Sequence, residues 1–279
     1  MKISNLSFSK EIPGANLRVI SLGAGVQSTV MALMAGMGKI TPMPDCAIFA
    51  DTQFEPKAIY EHLEWLSYVL PFPVHIVTAG NIKKDTLNFK KETKGSYISM
   101  PLYSNGASSM GRRQCTRQYK IEPLRKKTRE LLNLKKGERS NGKVCETWIG
   151  ISKDEIQRVK DSQFSYIINR YPLLELGMRR SDCYKWFNEY FPHKKLQKSA
   201  CIACPYANNT TWRDMKLYDP DSFYEAVDFD NKIRNFHRDK DTKYYVHQDC
   251  IPLKDVDVST AEDKGQLNFL DECDGMCGV

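Results

Sequence analysis

The feature that most constrains the fold is an apolar segment that runs into a glycine turn and then into a second apolar pattern, in LRVISLGAGVQSTVMAL, residues 17–33. The β-branched first part predicts a buried strand, and STVMALMAGMG predicts a helix that ends at Gly36 or Gly38. The alternation continues with a strand in DCAIFAD, a helix in EPKAIYEHLEWLSYVL and a strand in FPVHIVTAG. Strands that alternate with helices form parallel sheets. We therefore predict an α/β fold, a parallel sheet with helices on both faces, plus a cysteine-rich, mostly helical C-terminal part.

Polar and glycine residues follow the predicted strands at the positions where such sheets bind ligands. Gly23 and Asp51 lie at the carboxyl ends of the first two strands, and VCETWIGIS predicts a further strand that ends in Gly150. Ligands of open α/β sheets bind outside these carboxyl ends. We therefore expect these residues to line a binding site.

The glycine turn is compatible with three phosphate-binding loops, of which one fits best. A P-loop needs a lysine after its last glycine, but Val26 and Gln27 follow Gly25. A dinucleotide loop needs a third glycine, which is absent here, although Asp51 could bind a ribose. The loop of adenine-nucleotide α-hydrolases holds phosphate on backbone N–H groups at a helix start, to which serine and threonine hydroxyls are added. The predicted nucleotide-binding residues are Ser21, Gly23, Gly25, Gln27, Ser28, Thr29, Asp51 and Gly150.

The charge is distributed unevenly along the 279 residues, whose net charge is +7. Residues 83–143 contain 17 lysines and arginines against 5 acids, a net charge of +12, whereas the chain from Leu253 onward has 7 acids and 2 bases, a net charge of −5. A basic block in a chain with a phosphate turn indicates an anionic ligand, a nucleotide or a nucleic acid backbone, although lysine-rich segments are also common on solvated faces.

The nine cysteines are grouped in a way that is typical of metal binding or thiol chemistry. Cys201 and Cys204 form a C-x2-C pair, whose two thiolates can face one metal centre. Cys46 and Cys145 lie in apolar strand patterns and are predicted core residues, whereas Cys115 and Cys183 follow arginines in polar contexts. We therefore predict a metal site on Cys115, Cys183, Cys201 and Cys204, which by spacing alone holds either zinc or an iron–sulfur cluster.

The last residues, NFLDECDGMCGV, contain two further cysteines, Cys273 and Cys277. A mobile tail can carry a thiolate into a site, and a second thiol can then resolve the product. We predict a catalytic role for these two cysteines. The chain shows neither a secretion signal nor an uncharged apolar stretch long enough for a membrane span, so we expect a cytoplasmic protein with no membrane partner.

These motifs together resemble the phosphoadenosine phosphosulfate (PAPS) reductase family, of the iron–sulfur type, within the adenine nucleotide α-hydrolase (PP-loop) superfamily. The resemblance spans about residues 17–215, through SLGAGVQST, FADTQFEPKAIYEHL, QCTRQYKIEPL, WIGISKDEIQRVKDS and KSACIACPY, and the tail DECDGMCGV is similar to the family's Glu-Cys-Gly end. It implies a [4Fe–4S] cluster on Cys115, Cys201 and Cys204, in preference to zinc. The family's adjacent cysteine pair is replaced here by Gln114-Cys115, so we assign the missing ligand to Cys183.

The resemblance implies an oxidoreductase, a sulfonucleotide (APS/PAPS) reductase-like enzyme. Cys273 or Cys277 would attack the sulfur of a bound adenylyl nucleotide, and a thioredoxin-like thiol donor would then free sulfite. Guanidinium forks match phosphate and sulfate oxygens. The expected anion-binding residues are Arg112, Arg113, Arg117, Lys120 and Arg158.

Two other functions remain open at this point. One is ATP-dependent sulfur transfer to a nucleic acid, as in DNA phosphorothioation or tRNA thiolation, with the basic segment as the binding surface. The other is a non-catalytic, nucleotide-binding redox sensor. The expected organisation is consecutive: a nucleotide-binding core over residues 1–160 with a basic flap at 83–118, a cysteine-rich helical part over 161–252 that completes the metal site, and a mobile acidic tail over 253–279.

Overall fold

The computed structural model describes residues 12, 14–89, 98–106, 110–236, 239–259 and 263. The chain divides into two compact units. The first comprises the described residues of Met1–Ala50, Ala58–Val77 and Ile121–Ser199, and the second those of Asp51–Lys57, Thr78–Lys120 and Ala200–Val279. The units are thus interleaved along the sequence, whereas the parts predicted above are consecutive.

The helices and strands alternate through the first half of the chain, as the sequence predicts. The strands are β1 (Leu17–Leu22), β2 (Cys46–Asp51), β3 (Val74–Thr78), β4 (Tyr103–Ser104), β5 (Cys145–Ile149), β6 (Ile167–Arg170) and β7 (Tyr244–Tyr245). The α-helices are α1 (Val26–Gly36), α2 (Lys57–Val69), α3 (Ile82–Leu87), α4 (Glu122–Leu131), α5 (Pro172–Glu175), α6 (Arg180–Tyr190), α7 (Asn209–Tyr218) and α8 (Pro220–Ile233).

A five-stranded sheet in the order β3-β2-β1-β5-β6 forms the centre of the first unit. β1 pairs in parallel with β2 and with β5, and β5 pairs in parallel with β6. Successive residues of β1 enter two separate cores: Ile20 and Leu22 pack with α1 and α2, while Leu17 and Val19 pack with the end of α4 and the residues that follow it. Because side chains alternate across a sheet, helices cover both of its faces. The predicted α/β fold is confirmed.

The second unit has its own apolar core, to which α8 contributes four buried residues and α7 contributes Trp212. Trp212 and Phe229 are fully buried there, and β4 pairs with β7 in an antiparallel ribbon at Tyr103 and Tyr245. The stretch PDSFYEAVDFDNKIRNFH predicts a helix, which is α8 in the structure. The Asp219 carboxylate caps its first turn by accepting the backbone N–H of Ser222. In the part of the chain that the structure describes, no helix has the length and apolar content that crossing a bilayer requires.

Two local predictions differ from the structure. The stretch RRSDCYKWFNEYF predicts a helix that is capped by Ser181 or Asp182. In the structure this helix is α6 and Arg179 takes the cap position, while the Asp182 carboxylate reaches back from the third helical residue to accept the Arg179 N–H at 2.8 Å. The stretch YKIEPLRKKTRELLNL predicts a basic helix. In the structure the chain there begins with a wider turn, a π-helix over Thr116–Ile121, and becomes α4 only at Glu122.

Candidate functional site

The glycine turn between β1 and α1 is held by the Ser28 side chain. The Gly23 N–H donates to Ser28 Oγ at 3.2 Å, and the same hydroxyl donates to the Gly25 carbonyl at 3.3 Å. Ala24, between the two glycines, has a left-handed backbone with φ of 55°. Gly25 precedes the first residue of α1, and among the described residues no side chain caps that helix start.

The start of α1 has the electrostatics of an anion site. The first turn contains no acidic residue of its own, so no residue of the turn compensates the positive end of the helix dipole. The backbone N–H groups of a helix start, together with a hydroxyl such as that of Ser28, are suited to phosphate oxygens. Thr29 behaves differently from its neighbour, because it is completely buried and its Oγ1 is hydrogen bonded to His62 Nε2 at 3.0 Å. Ser21 is partly exposed on β1, two residues before Gly23.

Gly150, at the carboxyl end of β5, is required for close packing against this turn. A β-carbon added at Gly150 would lie 2.8 Å from the Ser28 nitrogen and 3.0 Å from its Cα, closer than real side chains approach backbone. The sequence predicted a site role for Gly150, and the structure gives the physical reason that no larger residue fits there.

A chain of polar side chains connects α1 with the segment that follows β5. Gln27 Nε2 donates to Glu155 Oε2 at 3.2 Å and lies 3.4 Å from Ser152 Oγ. Glu155 Oε1 is 2.8 Å from a guanidinium nitrogen of Arg158, and both side chains are largely enclosed. Burial raises the pKa of Glu155, partly offset by Arg158. The predicted anion-binding residue Arg158 is therefore paired with a carboxylate that the sequence analysis did not single out.

Asp51 lies at the start of a short segment, Asp51–Lys57, that is compactly packed in the second unit. Its carboxylate accepts the Gln53 N–H at 2.7 Å, and Gln53 has a left-handed φ of 56°. Two backbone bonds tie the segment into this unit, from Ile82 N–H to the Thr52 carbonyl at 3.1 Å and from Ile202 N–H to the Phe54 carbonyl at 2.8 Å. The backbone that follows Asp51 is therefore held in place through the carbonyls of Thr52 and Phe54.

Three of the four predicted metal ligands lie in the second unit. Cys115, Cys201 and Cys204 are each partly exposed. The Cys115 N–H donates to the Ser99 carbonyl at 3.0 Å, and a backbone bond of 3.1 Å from Cys204 N–H to the Cys201 carbonyl closes the C-x2-C turn. Partial exposure distinguishes these three thiols from the buried cysteines of the first unit.

Cys183 has different surroundings. It is 0% exposed in the apolar core of the first unit, and burial, with Asp154 and Asp182 adding to it, raises the pKa of its thiol to about 12. Cys46 and Cys145 are also buried, which confirms the prediction that they are core residues, and burial raises their pKa values to about 11 and about 12. The location of Cys183 thus matches that of the core cysteines rather than that of the other predicted ligands.

Sequence reasoning missed a buried carboxylate next to Cys201. Glu55 Oε1 accepts the Thr52 hydroxyl at 2.9 Å and lies 3.5 Å from Cys201 Sγ, while Thr52 Oγ1 lies 3.3 Å from the same sulfur. Within the described ranges, no three cysteine, histidine or acidic side chains are grouped closely enough to hold a single metal ion.

The predicted anion-binding residues of the second unit lie on one short segment around Cys115. The Arg113 guanidinium stacks on the Tyr206 ring at 4.8 Å from its centre, Arg112 and Arg117 are exposed, and Lys120 is partly exposed. The two predicted catalytic cysteines, Cys273 and Cys277, lie outside the described residues.

Part of the basic block is neutralised or bonded within the protein. Lys127 pairs with Glu130 at 2.6 Å, Arg129 donates to the Glu138 carbonyl at 2.8 Å, and Lys143 donates to the Leu132 carbonyl at 2.8 Å. These three side chains have partners within the protein, but the net charge of the block stays at +12, since Glu130 is already counted among its five acids.

Comparison with solved structures gives a structural likeness. No protein-family model matches the chain. No curated protein matches it either. The chain is similar to phosphoadenylyl-sulfate (PAPS) reductase from Candida auris, in its phosphate complex, with 16% sequence identity and a TM-score of 0.36 over 65% of this chain and 80% of that chain. The parallel α/β sheet of this chain is established by its own strand pairing.

Proposed function

We propose that this chain is an enzyme that binds an adenylyl nucleotide and acts on its sulfur, as a sulfonucleotide reductase does. The observation that carries the proposal is the uncapped start of α1, where Ser28 closes the glycine turn and Gly150 leaves the space for it. This arrangement suits a phosphate group. The sulfur chemistry is supported by the resemblance of the motifs and by the cysteines grouped in the second unit.

In this proposal the turn residues hold the phosphate and Asp51 holds the ribose. Gly23, Gly25 and Ser28 supply backbone and hydroxyl donors, and Ser21 and Gln27 border the turn. Thr29 contributes by anchoring α1 through His62 rather than by touching the ligand. The cations expected to neutralise the phosphosulfate are Arg112, Arg113, Arg117 and Lys120, while Arg158 acts through its ion pair with Glu155.

The reaction transfers a sulfonyl group and then reduces it. The thiolate of Cys273 or Cys277 attacks the sulfate sulfur, so that an S–S bond forms, the S–O bond to phosphate breaks and the adenosine phosphate leaves. A dithiol of the thioredoxin class then attacks the cysteine sulfur, sulfite leaves with the S–S bonding pair, and the enzyme thiol is restored through the donor's second thiol. Oxidation of the donor dithiol to a disulfide supplies the two electrons.

The proposal includes a [4Fe–4S] cluster, rather than zinc, on Cys115, Cys201 and Cys204. When bound, such a cluster supplies electrostatic stabilisation of the anionic substrate rather than electrons for it. The partly exposed thiols of the second unit are its protein ligands. One ligand position remains, which the sequence assigns to Cys183.

The test is sulfite release by the full-length protein, purified without oxygen, from adenosine 5′-phosphosulfate and from its 3′-phosphorylated form, with a thioredoxin-type dithiol as reductant. We expect sulfite from one of the two nucleotides. Replacing the nucleophile, by Cys273→Ser or Cys277→Ser, should abolish release while nucleotide affinity is retained. Cys250→Ser, at a partly exposed cysteine outside the proposed chemistry, is the matched control and should keep the activity.

Two outcomes would contradict this function. Full sulfite release by the protein with both tail cysteines replaced would exclude the tail mechanism. Absence of sulfite from both nucleotides, combined with ATP turnover that needs DNA or RNA and falls steeply with salt, would favour sulfur transfer to a nucleic acid instead.

A further inference from the structure

A cavity of about 330 Å³ lies in the second unit. Its wall is formed by Tyr103 of β4, residues 205–208 directly after the C-x2-C pair, Asn209 at the start of α7, and Gln248. The volume is at the small end of the range for ligand pockets, about 300–1,000 Å³. The cavity therefore has room for one small ring system rather than for a dinucleotide.

The lining of the cavity combines aromatic rings with side-chain amides. Tyr103 and Tyr206 contribute the rings, and Asn208, Asn209 and Gln248 contribute the amides. None of the described lining residues carries a charged side chain. Aromatic rings stack on flat heterocycles, and an amide offers both a donor and an acceptor to the edge of such a ring. The chemistry of the lining is therefore suited to a nucleobase.

The two tyrosines are held in place by backbone hydrogen bonds near them. Tyr103 is paired with Tyr245 in the ribbon of β4 and β7. The N–H of Ala207, the neighbour of Tyr206, donates to the Cys204 carbonyl at 2.9 Å. Burial raises the pKa of the Tyr103 hydroxyl and Tyr206 adds to this shift, so the two phenols lie within electrostatic range of each other. A wall that is already formed lowers the ordering cost of binding.

The three amides differ in how they are held. Asn208 Oδ1 accepts both the N–H and the hydroxyl of Thr211, each at 2.8 Å. Asn209 Oδ1 lies 3.0 Å from Nε2 of the buried His247. Gln248 is exposed, so its amide can turn to offer its oxygen and its nitrogen together. A glutamine that does so forms a bidentate pair with N6 and N7 of adenine.

Positive charge beside the rings separates a nucleotide from a neutral ligand. The Arg113 guanidinium lies over the Tyr206 ring at 4.8 Å from its centre, and the preceding residue, Arg112, is exposed. Rings and amides also suit a neutral sugar, but such a sugar has no anionic group for the arginines. A nucleotide carries a phosphate next to its base, and guanidinium groups match phosphate oxygens. The two arginines therefore favour a nucleoside phosphate.

We propose that this cavity of the second unit binds the base of a nucleoside phosphate, with adenine preferred. Tyr103 and Tyr206 supply the stacking surface, and Gln248 pairs with the N6 and N7 edge of the base. Arg112 and Arg113 contact the phosphate that the base carries. The base comes either from a free nucleotide or from an unpaired position in a strand, since the same groups recognise both. The assignment depends neither on the sulfur chemistry proposed above nor on the glycine turn of the first unit.

The experiment locates the site by photolabelling the full-length protein with 8-azidoadenosine 5′-monophosphate and analysing the peptides by mass spectrometry. We expect label on peptides that contain Tyr103, Tyr206 or Gln248. Adenosine monophosphate should compete with the label at far lower concentration than ribose 5-phosphate, which has no base. Ser28→Ala, in the glycine turn, should leave the label on these peptides unchanged.

Variants of the lining test the two contacts to the base separately. Tyr206→Ala removes a stacking surface and should lower the affinity of the cavity for adenosine monophosphate by about tenfold, whereas Tyr206→Phe should keep it. Gln248→Ala, at an exposed position, should abolish the preference for adenosine over inosine monophosphate, which lacks the N6 amino group. Tyr224→Ala, at an exposed tyrosine of the same unit, is the matched control and should behave as the wild type.

A short single-stranded oligodeoxyadenylate, used as a competitor of the same label, distinguishes the two sources of the base. Competition by the strand that is stronger than that of the monophosphate, and that weakens with salt, assigns the cavity to an unpaired base of a nucleic acid. Equal or stronger competition by the monophosphate assigns it to a free nucleotide. A strand with abasic sites should compete less than the intact strand in the first case.

Three results would overturn the site. The first is unchanged labelling and base preference in both Tyr206→Ala and Gln248→Ala, and the second is equal competition by ribose 5-phosphate and adenosine monophosphate. The third is label confined to peptides of the first unit, which would leave the proposed function intact. Conversely, label on the cavity peptides of a protein that releases no sulfite would retain this site while the proposed function fails.

Discussion

The side-chain amide of Gln27, in the first turn of α1, donates a 3.2 Å hydrogen bond to the carboxylate of Glu155. Glu155 also pairs with Arg158, so one acid holds the glycine turn and a predicted anion-binding arginine at once. We expect Glu155→Ala to lower the free energy of unfolding by about 1–2 kcal/mol, because two largely enclosed donors lose their acceptor. Urea unfolding followed by circular dichroism measures this change. In a double-mutant cycle with Arg158→Ala, purely additive losses would show that the pair has no coupling.

Replacing Gly150 by alanine should disturb the turn directly. The added β-carbon would meet the backbone of Ser28 at 2.8 Å, and backbone cannot rotate out of the way as a side chain can. We expect Gly150→Ala to cost about 1–3 kcal/mol of stability and to lower nucleotide affinity. Gly23→Ala is the matched control, because its β-carbon would meet only Ser28 Oγ at 3.6 Å, an ordinary contact. Equal effects of the two substitutions in urea unfolding and calorimetric titration would contradict this account.

Neighbouring hydroxyls on α1 should have separable roles. Ser28→Ala removes the hydroxyl that closes the glycine turn, so affinity for adenosine 5′-phosphosulfate should fall by about tenfold. Thr29→Val removes a buried hydrogen bond to His62, so stability should fall by about 1–2 kcal/mol while affinity stays within about twofold. Isothermal titration calorimetry and urea unfolding distinguish the two effects. A loss of affinity in Thr29→Val as large as that in Ser28→Ala would mean that Thr29 contacts the ligand.

Acid should destabilise the first unit through His62. Burial, together with Lys194, lowers the pKa of His62 from 6.5 to about 4, so the folded state keeps this imidazole neutral while the unfolded chain takes up a proton. The contribution of neutral His62 to the free energy of unfolding is fully present above pH 6.5. It is lost as the pH falls towards 4, by about 3 kcal/mol in total. His62→Gln should flatten the pH dependence of urea unfolding in that window. His193→Gln, at an exposed position, should leave it unchanged; a wild-type curve already flat between pH 4 and 6.5 would refute the prediction.

The fold was predictable because its elements have strong local patterns. β1 and β5 are largely buried and are each followed by glycine, and α2 has a clear amphipathic period. The alternation of strands and helices that defines the sheet can therefore be recognised from short stretches of sequence. The helices α3, α5 and α7 were not predicted: α3 lies largely in the segment assigned to a basic flap, and α5 has only four residues. The cap of α6 was misplaced because Asp182 can accept a backbone N–H equally well from the third helical position.

The candidate site was only partly predictable, because its side chains contact residues that are far away in the sequence. Glu55 resembles an ordinary acid at the start of α2, yet its contact is with Cys201, 146 residues away. Ser152 and Glu155 look like loop residues until the structure brings Gln27 to them. The surroundings of Cys183 could have been inferred from helical spacing, since Phe187 lies four residues later on the same buried face of α6. Its assignment as a ligand used only the polar residues around it.

The interleaving of the two units has a consequence for how the chain is made. The first unit needs residues up to Ser199 and the second begins at Asp51, so neither corresponds to an uninterrupted length of messenger RNA. A ribosome cannot release one finished unit before the other has been started, and domain-by-domain folding during translation is not open to this chain. For the same reason, neither unit can be exchanged between genes as a single cassette.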